Sequence, residues 1–281
     1  EALDKYEAQE KILGEHRNSY SKTDTDATFM RMKEDHMKNG QLKPGYNLQV
    51  SSNNQYVTNY SIHHNPTDTT TLTEHIEQYK ESYGTSPEIV TADAGYGSEE
   101  NYEYLKSNNI EAYVKHNQFD REQNEVIQSK KPFAADKLHY NKEGDYYVCP
   151  IGQRMQNKGS YIKKTSTGFK QEITQYKAVN CVGCPLNGVC HKSSGNRIIE
   201  VNHNLNEHKI KANENLLSEQ GIKHRKKRCC DIEPVFANIK NNHHFKRFML
   251  RGKEKVSIEA GLLVLAHNLR KKSNQIIKKA A

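Results

Sequence analysis

Apolar and polar residues alternate along residues 46–114, and their periods predict strands and a helix. Residues 46–50 and 56–62 alternate on either side of a polar turn, which predicts a β-hairpin. Residues 72–79 then repeat apolar side chains at helical spacing. The first part of this segment is therefore expected to form a hairpin followed by a helix.

A strand, a helix and a second strand are predicted next along the chain. The β-branched run 88–93 ends at an acidic residue, and Ser98 is placed to cap a helix that runs through Leu105. Residues 110–114 have the pattern of another strand. This order of elements predicts an α/β domain with a mixed sheet and flanking helices.

The rest of the chain differs in character from this core. Residues 19–44 have the composition of a loop or linker, and residues 117–210 are polar, with Tyr, Cys and short strand-like pieces. Helical patterns return over 205–219, 232–248 and 256–278. We expect four segments: a helical and linker segment at 1–44, the first part of the core at 45–116, an inserted Cys-bearing subdomain at 117–210, and C-terminal helices that complete the core at 211–281.

Charge indicates a polyanionic partner. Lys and Arg number 42 against 34 Asp and Glu, a net charge of +8, and the excess is concentrated at 223–228, 246–255 and 270–279. Clustered cations beside helical patterns suit a phosphate backbone, although a solvated helical face has the same composition. No apolar run reaches the roughly 18 residues that a membrane span needs. The first residues lack a starting Met and a signal-peptide pattern, and we interpret Glu1 as an internal cut.

Asp93 is the first candidate for chemistry. It follows a predicted buried strand and precedes a turn that contains Gly95 and Gly97. In open α/β sheets ligands gather beyond the carboxyl ends of strands, and a carboxylate there suits a hard cation such as Mg²⁺. The alternative is an Asp that only caps a turn.

Glu233 is the second candidate. Pro234 is tolerated in a first helical turn, so a helix is expected to start near Ile232. Lys240 follows Glu233 by seven residues and projects from nearly the same side, about two turns further on. A carboxylate and a cation on one face suit metal binding beside a phosphate, and they also suit an ordinary solvated face.

In combination these motifs resemble a known family. Residues 91–98, Thr-Ala-Asp-Ala-Gly-Tyr-Gly-Ser, resemble the second-aspartate motif of bacterial insertion-sequence transposases of the DDE type, and residues 233–240 resemble their Glu-x6-Lys segment. Other stretches of the chain are similar to the same family: Ser21–Ala27, Gly45–Gln49, Phe248–Gly252 and Ala266–Leu269. The resemblance extends over essentially the whole chain. It implies a fragment that lacks the family's N-terminal DNA-binding part.

The resemblance implies an RNase H-like catalytic domain that cleaves and transfers DNA strands. Three carboxylates would hold two Mg²⁺ or Mn²⁺ ions about 3.5–4 Å apart, for in-line attack on a phosphodiester by water or a 3′-hydroxyl. The implied partners are the ends of the element and its target DNA, bound by a dimer in the cytoplasm at the nucleoid, with no membrane and no small-molecule substrate. Lys240 would contact phosphate near the cleaved bond, and five further residues are DNA-binding candidates: Arg225, Lys226, Arg228, Arg247 and Arg251.

Two features depart from the family pattern. The first catalytic aspartate of such relatives lies in an Asp-Gly-Thr setting on an earlier strand, and this sequence contains no Asp-Gly-Thr. Asp26, with Asp24 beside it, is the nearest stand-in. Where many relatives have an Arg four residues before the glutamate, this chain has Cys229, with Arg228 adjacent. We therefore expect the chain on its own to bind DNA without transposing it.

Four of the six cysteines form a third constellation. Cys181, Cys184 and Cys190 have the tight first pair of a zinc knuckle, and Cys149 completes a set of four, with His139 or His191 as alternatives. Thiolates favour a structural Zn²⁺ or an iron–sulfur cluster, and four reduced, unliganded thiols are the third option.

Two other functional classes remain open. One is a non-catalytic remnant of such an enzyme, basic and zinc-containing, that binds DNA without cleaving it. The other is a metal-dependent nuclease with the same fold, which the Arg251-Gly252 and Asn268-Leu269 motifs do not favour.

Overall fold

The computed structural model describes residues 2–14, 17–32 and 39–280 and divides the chain into two compact units. The first unit contains residues up to 97, residues 101–115, and residues from 214 onward. The second contains residues 98–100 and 116–213. Residues 15–16 and 33–38 of the expected N-terminal segment lie outside the described residues, and the four-segment division stays a prediction.

The first half of the chain is a mixture of short strands and helices. The hairpin, helix, strand, helix and strand predicted over 46–114 are confirmed. The elements are α1 (Ala2–Leu13), β1 (Thr28–Arg31), β2 (Leu42–Gly45), β3 (Asn47–Asn53), β4 (Tyr56–His63), α2 (Leu72–Tyr83), β5 (Ile89–Ala92), α3 (Glu99–Ser107) and β6 (Glu111–Val114).

The described strands of the first unit pair two by two. β1 pairs with β2 and β3 with β4, both antiparallel, while β5 pairs with β6 in parallel. The expected single mixed sheet is therefore not formed by the described residues. The interpretation of 19–44 as a loop or linker was wrong, because it contains β1 and most of β2. β2 was not predicted because it contains Pro44 and Gly45, which are both unfavourable in strands.

The second unit is built on a five-stranded antiparallel sheet with the strand order β11-β10-β9-β8-β7. Its elements are α4 (Phe119–Glu122), α5 (Glu125–Ser129), β7 (His139–Asn141), β8 (Tyr146–Val148), β9 (Arg154–Lys164), β10 (Lys170–Ala178), β11 (Ile198–Val201) and α6 (His203–Leu217). Buried side chains from four of the five strands make its core, among them Tyr147, Met155, Tyr176 and Ile199.

Two long helices return the chain to the first unit: α7 (Glu219–Ala237) and α8 (Lys253–Ala280). The Ser218 side chain caps α7 by accepting a hydrogen bond from the Gly221 backbone N–H at 3.0 Å. The prediction that this helix starts near Ile232 was wrong, and so was its extension to 248. A π-turn at Asn238–Asn242 follows α7, and the next helix begins only at Lys253.

Pro234 lies inside α7 rather than in its first turn. A proline has no N–H for the carbonyl four residues earlier, here that of Cys230. The Gln55 side-chain amide donates to this freed Cys230 oxygen at 2.9 Å. A contact from the β3–β4 turn therefore replaces the lost helical bond, which is why the helix can run through a proline.

The β3–β4 hairpin is apolar on one face and polar on the other, and both faces are covered. On the apolar face Val57 packs with Val235 and Ile239, and Ile62 packs with Val256 and Ala260. On the polar face four residues contact α2. Ser51 and Ser61 lie within hydrogen-bond distance of the His75 ring, Asn59 donates to the His75 carbonyl, and His63 contacts Glu74. This burial of polar strand positions shapes the candidate site described next.

Candidate catalytic site

Asp93 immediately follows β5, at the carboxyl end of a parallel strand pair. Its backbone is extended, and its side chain accepts a hydrogen bond from the Gly95 N–H at 3.0 Å. This bond caps the short 3₁₀ turn Ala94–Tyr96. The location at a strand end agrees with the sequence-based expectation, and the capping contact fixes the direction of the carboxylate.

Asp68 lies beside Asp93, although no pattern in the sequence pairs them. A Cβ atom placed on Gly95 would be 3.1 Å from Asp93 Oδ1 and 3.3 Å from Asp68 Oδ2. Thr69, next to Asp68, donates its hydroxyl to the Gly95 carbonyl at 2.9 Å. The turn after β5 and the turn before α2 therefore bring two carboxylates to the same point.

Two amide side chains of β3 hold Asp68. Asn47 Nδ2 donates to Asp68 Oδ1 at 3.0 Å, and Gln49 Nε2 donates to the same oxygen at 2.8 Å. Gln49 Oε1 accepts a hydrogen bond from the Tyr96 hydroxyl. The amide of Gln49 thus connects Asp68 to the turn that carries Asp93.

The Tyr96 hydroxyl is a neutral hydrogen-bond donor in this arrangement. Burial raises the pKa of Tyr96 above its ordinary value, and the negative charges of Asp68 and Asp93 raise it further. The positive charge of Arg228, on α7, lowers the pKa of the same hydroxyl. Arg228 therefore supplies positive potential close to the two carboxylates.

Helix α7 packs against β3, β4, β5 and β6. Its inward side carries Arg228 and the buried Val235, while Glu233 is exposed and Lys240, in the π-turn, is also exposed. The helix that carries Glu233 is thus beside the strand that leads to Asp93. A joint metal site of Asp93 and Glu233 stays a prediction.

Asp24 and Asp26 contact the start of α8. Asp24 Oδ1 accepts from the Gly252 N–H at 3.1 Å and from the Tyr46 hydroxyl at 2.9 Å. Asp26 Oδ2 accepts from the Lys253 N–H at 2.8 Å. These contacts give both residues a helix-capping role, and a catalytic role for Asp26 stays a prediction.

The six basic residues predicted to bind DNA differ in exposure. Arg225 and Arg228 are half-buried on α7. The other four are exposed: Lys226, Lys240, Arg247 and Arg251. Arg251 Nη1 also lies 3.5 Å from the Thr23 carbonyl oxygen.

The four predicted zinc ligands line one cavity of the second unit, together with His191. All four are free, half-buried thiols: Cys149, Cys181, Cys184 and Cys190. Arg197 occupies part of their surroundings, with its Nη1 2.9 Å from Cys190 Sγ. His191 Nε2 is buried and has no hydrogen-bond partner within the described chain. An orphaned imidazole nitrogen beside four thiols is the donor chemistry of a zinc site.

The described residues nevertheless contain no group of three or more His, Cys, Asp or Glu placed closely enough to hold a metal ion. Asp68 is the acidic residue next to Asp93, so this site has two carboxylates rather than a group of three. The cysteines share a cavity without meeting that geometric condition. A zinc knuckle stays a prediction.

Residues 148–272 match a family model described as a transposase DDE domain. This stretch, a little less than half of the chain, is similar to the DDE domain of transposases. The matched stretch contains Glu233, Lys240 and the four cysteines, and Asp93 lies before it. Searches of curated proteins and of solved structures returned no significant match. No helix in the described ranges combines the length and apolar character needed to cross a membrane.

Proposed function

We propose that this chain is the catalytic part of an insertion-sequence transposase, which cleaves and joins DNA strands with the help of Mg²⁺ or Mn²⁺. The observation that carries the proposal is the position of Asp93, fixed by the Gly95 N–H at the end of β5, in a chain whose residues 148–272 match a transposase DDE domain. This location suits a carboxylate that presents a cation to a phosphate.

The donor set near Asp93 fits a hard divalent cation. Carboxylate oxygens are the preferred ligands of Mg²⁺, and Asp93 Oδ1 and Asp68 Oδ2 both approach the position beside Gly95. A bound divalent ion supplies charge neutralisation and polarises the phosphate and the attacking oxygen. Asp93 would bind this ion, Glu233 on α7 would add a ligand, and Lys240 would hold the neighbouring phosphate.

An RNase H-like sheet would need one more strand in the first unit. Among the described residues β3 pairs only with β4, and β5 pairs only with β6, although α7 packs against all four. A strand between β3 and β5 would join the two pairs into one mixed sheet. The family resemblance places the first catalytic aspartate on such a strand. Without the aspartate of that strand the two-ion site is incomplete, so we expect no strand transfer by this chain alone.

DNA is the proposed partner, and contact with it is mainly electrostatic. The net charge is +8, and Lys226 and Lys240 are exposed on either side of Glu233 along α7 and its π-turn. Contacts of this kind bind phosphate without reading sequence. Affinity should fall with salt with a log–log slope near −0.9 for each neutralised phosphate. We further propose that the chain acts as a dimer in the cytoplasm, at the nucleoid.

The cysteine cavity is proposed to hold a structural zinc ion. Cys149 and Cys181 each sit at a tight turn, in which Gly152 N–H donates to Cys149 O and Cys184 N–H donates to Cys181 O. Such turns present thiolates to a tetrahedral metal. Metal analysis of the purified chain should find one zinc per chain. Less than stoichiometric zinc and iron, with all four thiols freely titratable, would contradict this proposal.

The experiment that tests the proposed function measures DNA binding and cleavage together. Fluorescence anisotropy with duplex DNA should show binding that weakens steeply with salt. The double variant Lys226→Gln/Lys240→Gln should bind less tightly and with a shallower salt slope. The matched control Lys5→Gln/Lys11→Gln changes two lysines of the exposed helix α1 and should leave binding nearly unchanged.

Cleavage is followed on DNA that carries the element's ends, with Mg²⁺ or Mn²⁺. Absent or salt-insensitive DNA binding would overturn the proposed function. Metal-dependent nicking that disappears in both Asp93→Ala and Asp26→Ala would show a complete triad and contradict the expected inactivity of the chain alone.

The second candidate function is a basic, zinc-containing DNA-binding protein without catalytic activity. It is favoured by one observation, the lack of a three-member acidic group among the described residues. The two candidates differ in their need for Asp93. A non-catalytic protein should bind divalent ions equally well with and without the Asp93 carboxylate.

A further inference from the structure

Asp68 is placed and oriented like a member of the cation site, although no motif of the sequence includes it. We infer that Asp68 is a second carboxylate ligand for the divalent cation at Asp93, held in position by Asn47 and Gln49. This inference rests on the proposed function, because it assumes that Asp93 binds a cation.

Gly95 allows the two carboxylates to approach each other. A Cβ at this position would lie 3.1 Å from Asp93 Oδ1 and 3.3 Å from Asp68 Oδ2, closer than ordinary van der Waals contact. Its φ is not in the left-handed region, so backbone conformation does not require glycine here. What favours glycine is the space beside the two oxygen atoms, which a Cβ would crowd by a few tenths of an ångström.

The hydrogen bonds of Asp68 leave one of its oxygens directed at that space. Oδ1 accepts from both Asn47 and Gln49, at 3.0 and 2.8 Å. Asn47 Nδ2 also donates to the Asn65 carbonyl, at 3.1 Å, which ties β3 to the turn that carries Asp68. The amides thus fix the carboxylate plane and turn Oδ2 towards Gly95.

The facing charges are not neutralised by direct contact. Among the described residues neither Asp68 nor Asp93 forms an ion pair with a Lys, Arg or His. Like charges at short range repel, and a divalent cation between them would remove that repulsion while gaining two oxygen ligands. Gln49, which is 5% exposed, shields Asp68 from water on the β3 side, whereas Asp93 is exposed.

The test measures Mn²⁺ binding to the 281-residue chain by electron paramagnetic resonance, without DNA or activity. Asp68→Asn keeps the oxygen that accepts from Asn47 and Gln49 but removes the charge. We expect it to weaken Mn²⁺ binding by at least about 10–100-fold, which is the loss that removing an outer-shell group already causes at a metal site. The thermal unfolding midpoint should stay the same or rise, since a repulsion is removed.

Gly95→Ala is the second variant, because it fills the same space while leaving both carboxylates in the chain. It should also weaken Mn²⁺ binding. Asp231→Asn is the matched control, an acidic residue of α7 that pairs with Lys227, and it should bind Mn²⁺ like the unaltered chain.

The outcomes separate this inference from the proposed function. If the unaltered chain binds no Mn²⁺, or if Asp93→Asn binds it equally well, the cation site and the proposed function both fail. If Asp93→Asn loses binding while Asp68→Asn and Gly95→Ala bind like the Asp231→Asn control, only the role of Asp68 is overturned.

Discussion

Ser61 connects two buried histidines, and its removal should destabilise the first unit strongly. Ser61 Oγ lies 2.6 Å from His63 Nε2 and 2.6 Å from His75 Nδ1. His63 Nδ1 lies 3.0 Å from Glu74 Oε2, and Ser51 Oγ lies 2.6 Å from His75 Nε2. All three residues at the centre are buried: Ser61 at 2%, His63 at 4% and His75 at 7% exposed.

One direction of hydrogen bonding satisfies this whole chain with neutral imidazoles. His63 donates to the Glu74 carboxylate, so its Nε2 accepts from the Ser61 hydroxyl. Ser61 in turn accepts from His75 Nδ1–H, and His75 Nε2 accepts from the Ser51 hydroxyl. Every hydrogen is used once, which explains why so polar a strand face can be buried under α2.

Ser61→Ala deletes the central member and leaves two ring nitrogens buried without a partner. Each such group costs about 1–3 kcal/mol, so the free energy of unfolding should fall by about 2–6 kcal/mol. The assay is urea unfolding followed by circular dichroism, with the midpoint and the slope compared between variants. The control is Ser82→Ala on the exposed side of α2, where the hydroxyl donates to the Gln78 carbonyl and the loss should stay within about 0.5 kcal/mol. A Ser61→Ala loss no larger than that of the control would refute this account of the network.

Three further predictions concern the same unit. Burial, together with the charge that a protonated His63 would carry, lowers the pKa of His75 from 6.5 to about 4, so the stability that neutral His75 supplies is present above pH 6.5 and lost towards pH 4 in an acid titration. The hydrogen bond from His63 lowers the pKa of Glu74 from 4.5 to about 2, so a second loss should follow between those two values. Gln55→Ala leaves the Cys230 carbonyl without its donor and should lower the free energy of unfolding by about 1 kcal/mol in urea melts, whereas no change would show that water replaces the amide. Asp26→Ala removes the cap of α8 and should cost about 1 kcal/mol without changing Mn²⁺ affinity; weakened Mn²⁺ binding would instead place Asp26 in the cation site.

The spacing of apolar residues in the sequence was sufficient to predict the strands and helices in which that spacing is regular. The β3–β4 hairpin, α2, β5, β6 and α8 all have such patterns. The start of α7 was missed because Pro234 is favoured in a first helical turn, and the contact that allows it inside the helix comes from Gln55, distant in sequence. β2 was missed because Pro44 interrupts the pattern.

The candidate site was predictable only in part. Asp93 could be found because it follows a β-branched run and precedes glycines. Asp68 could not, since the contacts that hold it come from Asn47 and Gln49, polar residues of β3 that look like a solvent-facing set in the sequence. The structure shows that this polar face is buried, and the acidic residue at the turn before α2 is the signal that could have drawn attention to it.

The central claim is that a divalent cation at Asp93 meets the DNA backbone, and iron-directed hydroxyl-radical cleavage of the DNA complex tests it most directly. Fe²⁺ with ascorbate and peroxide cuts protein and DNA next to the ion it replaces. We predict polypeptide cuts near residues 93–97 and 65–70, together with a cut in the bound DNA. Excess Mg²⁺ and the Asp93→Asn variant should both suppress them. Cuts confined to residues 149–190, or cuts that survive Asp93→Asn, would contradict the account.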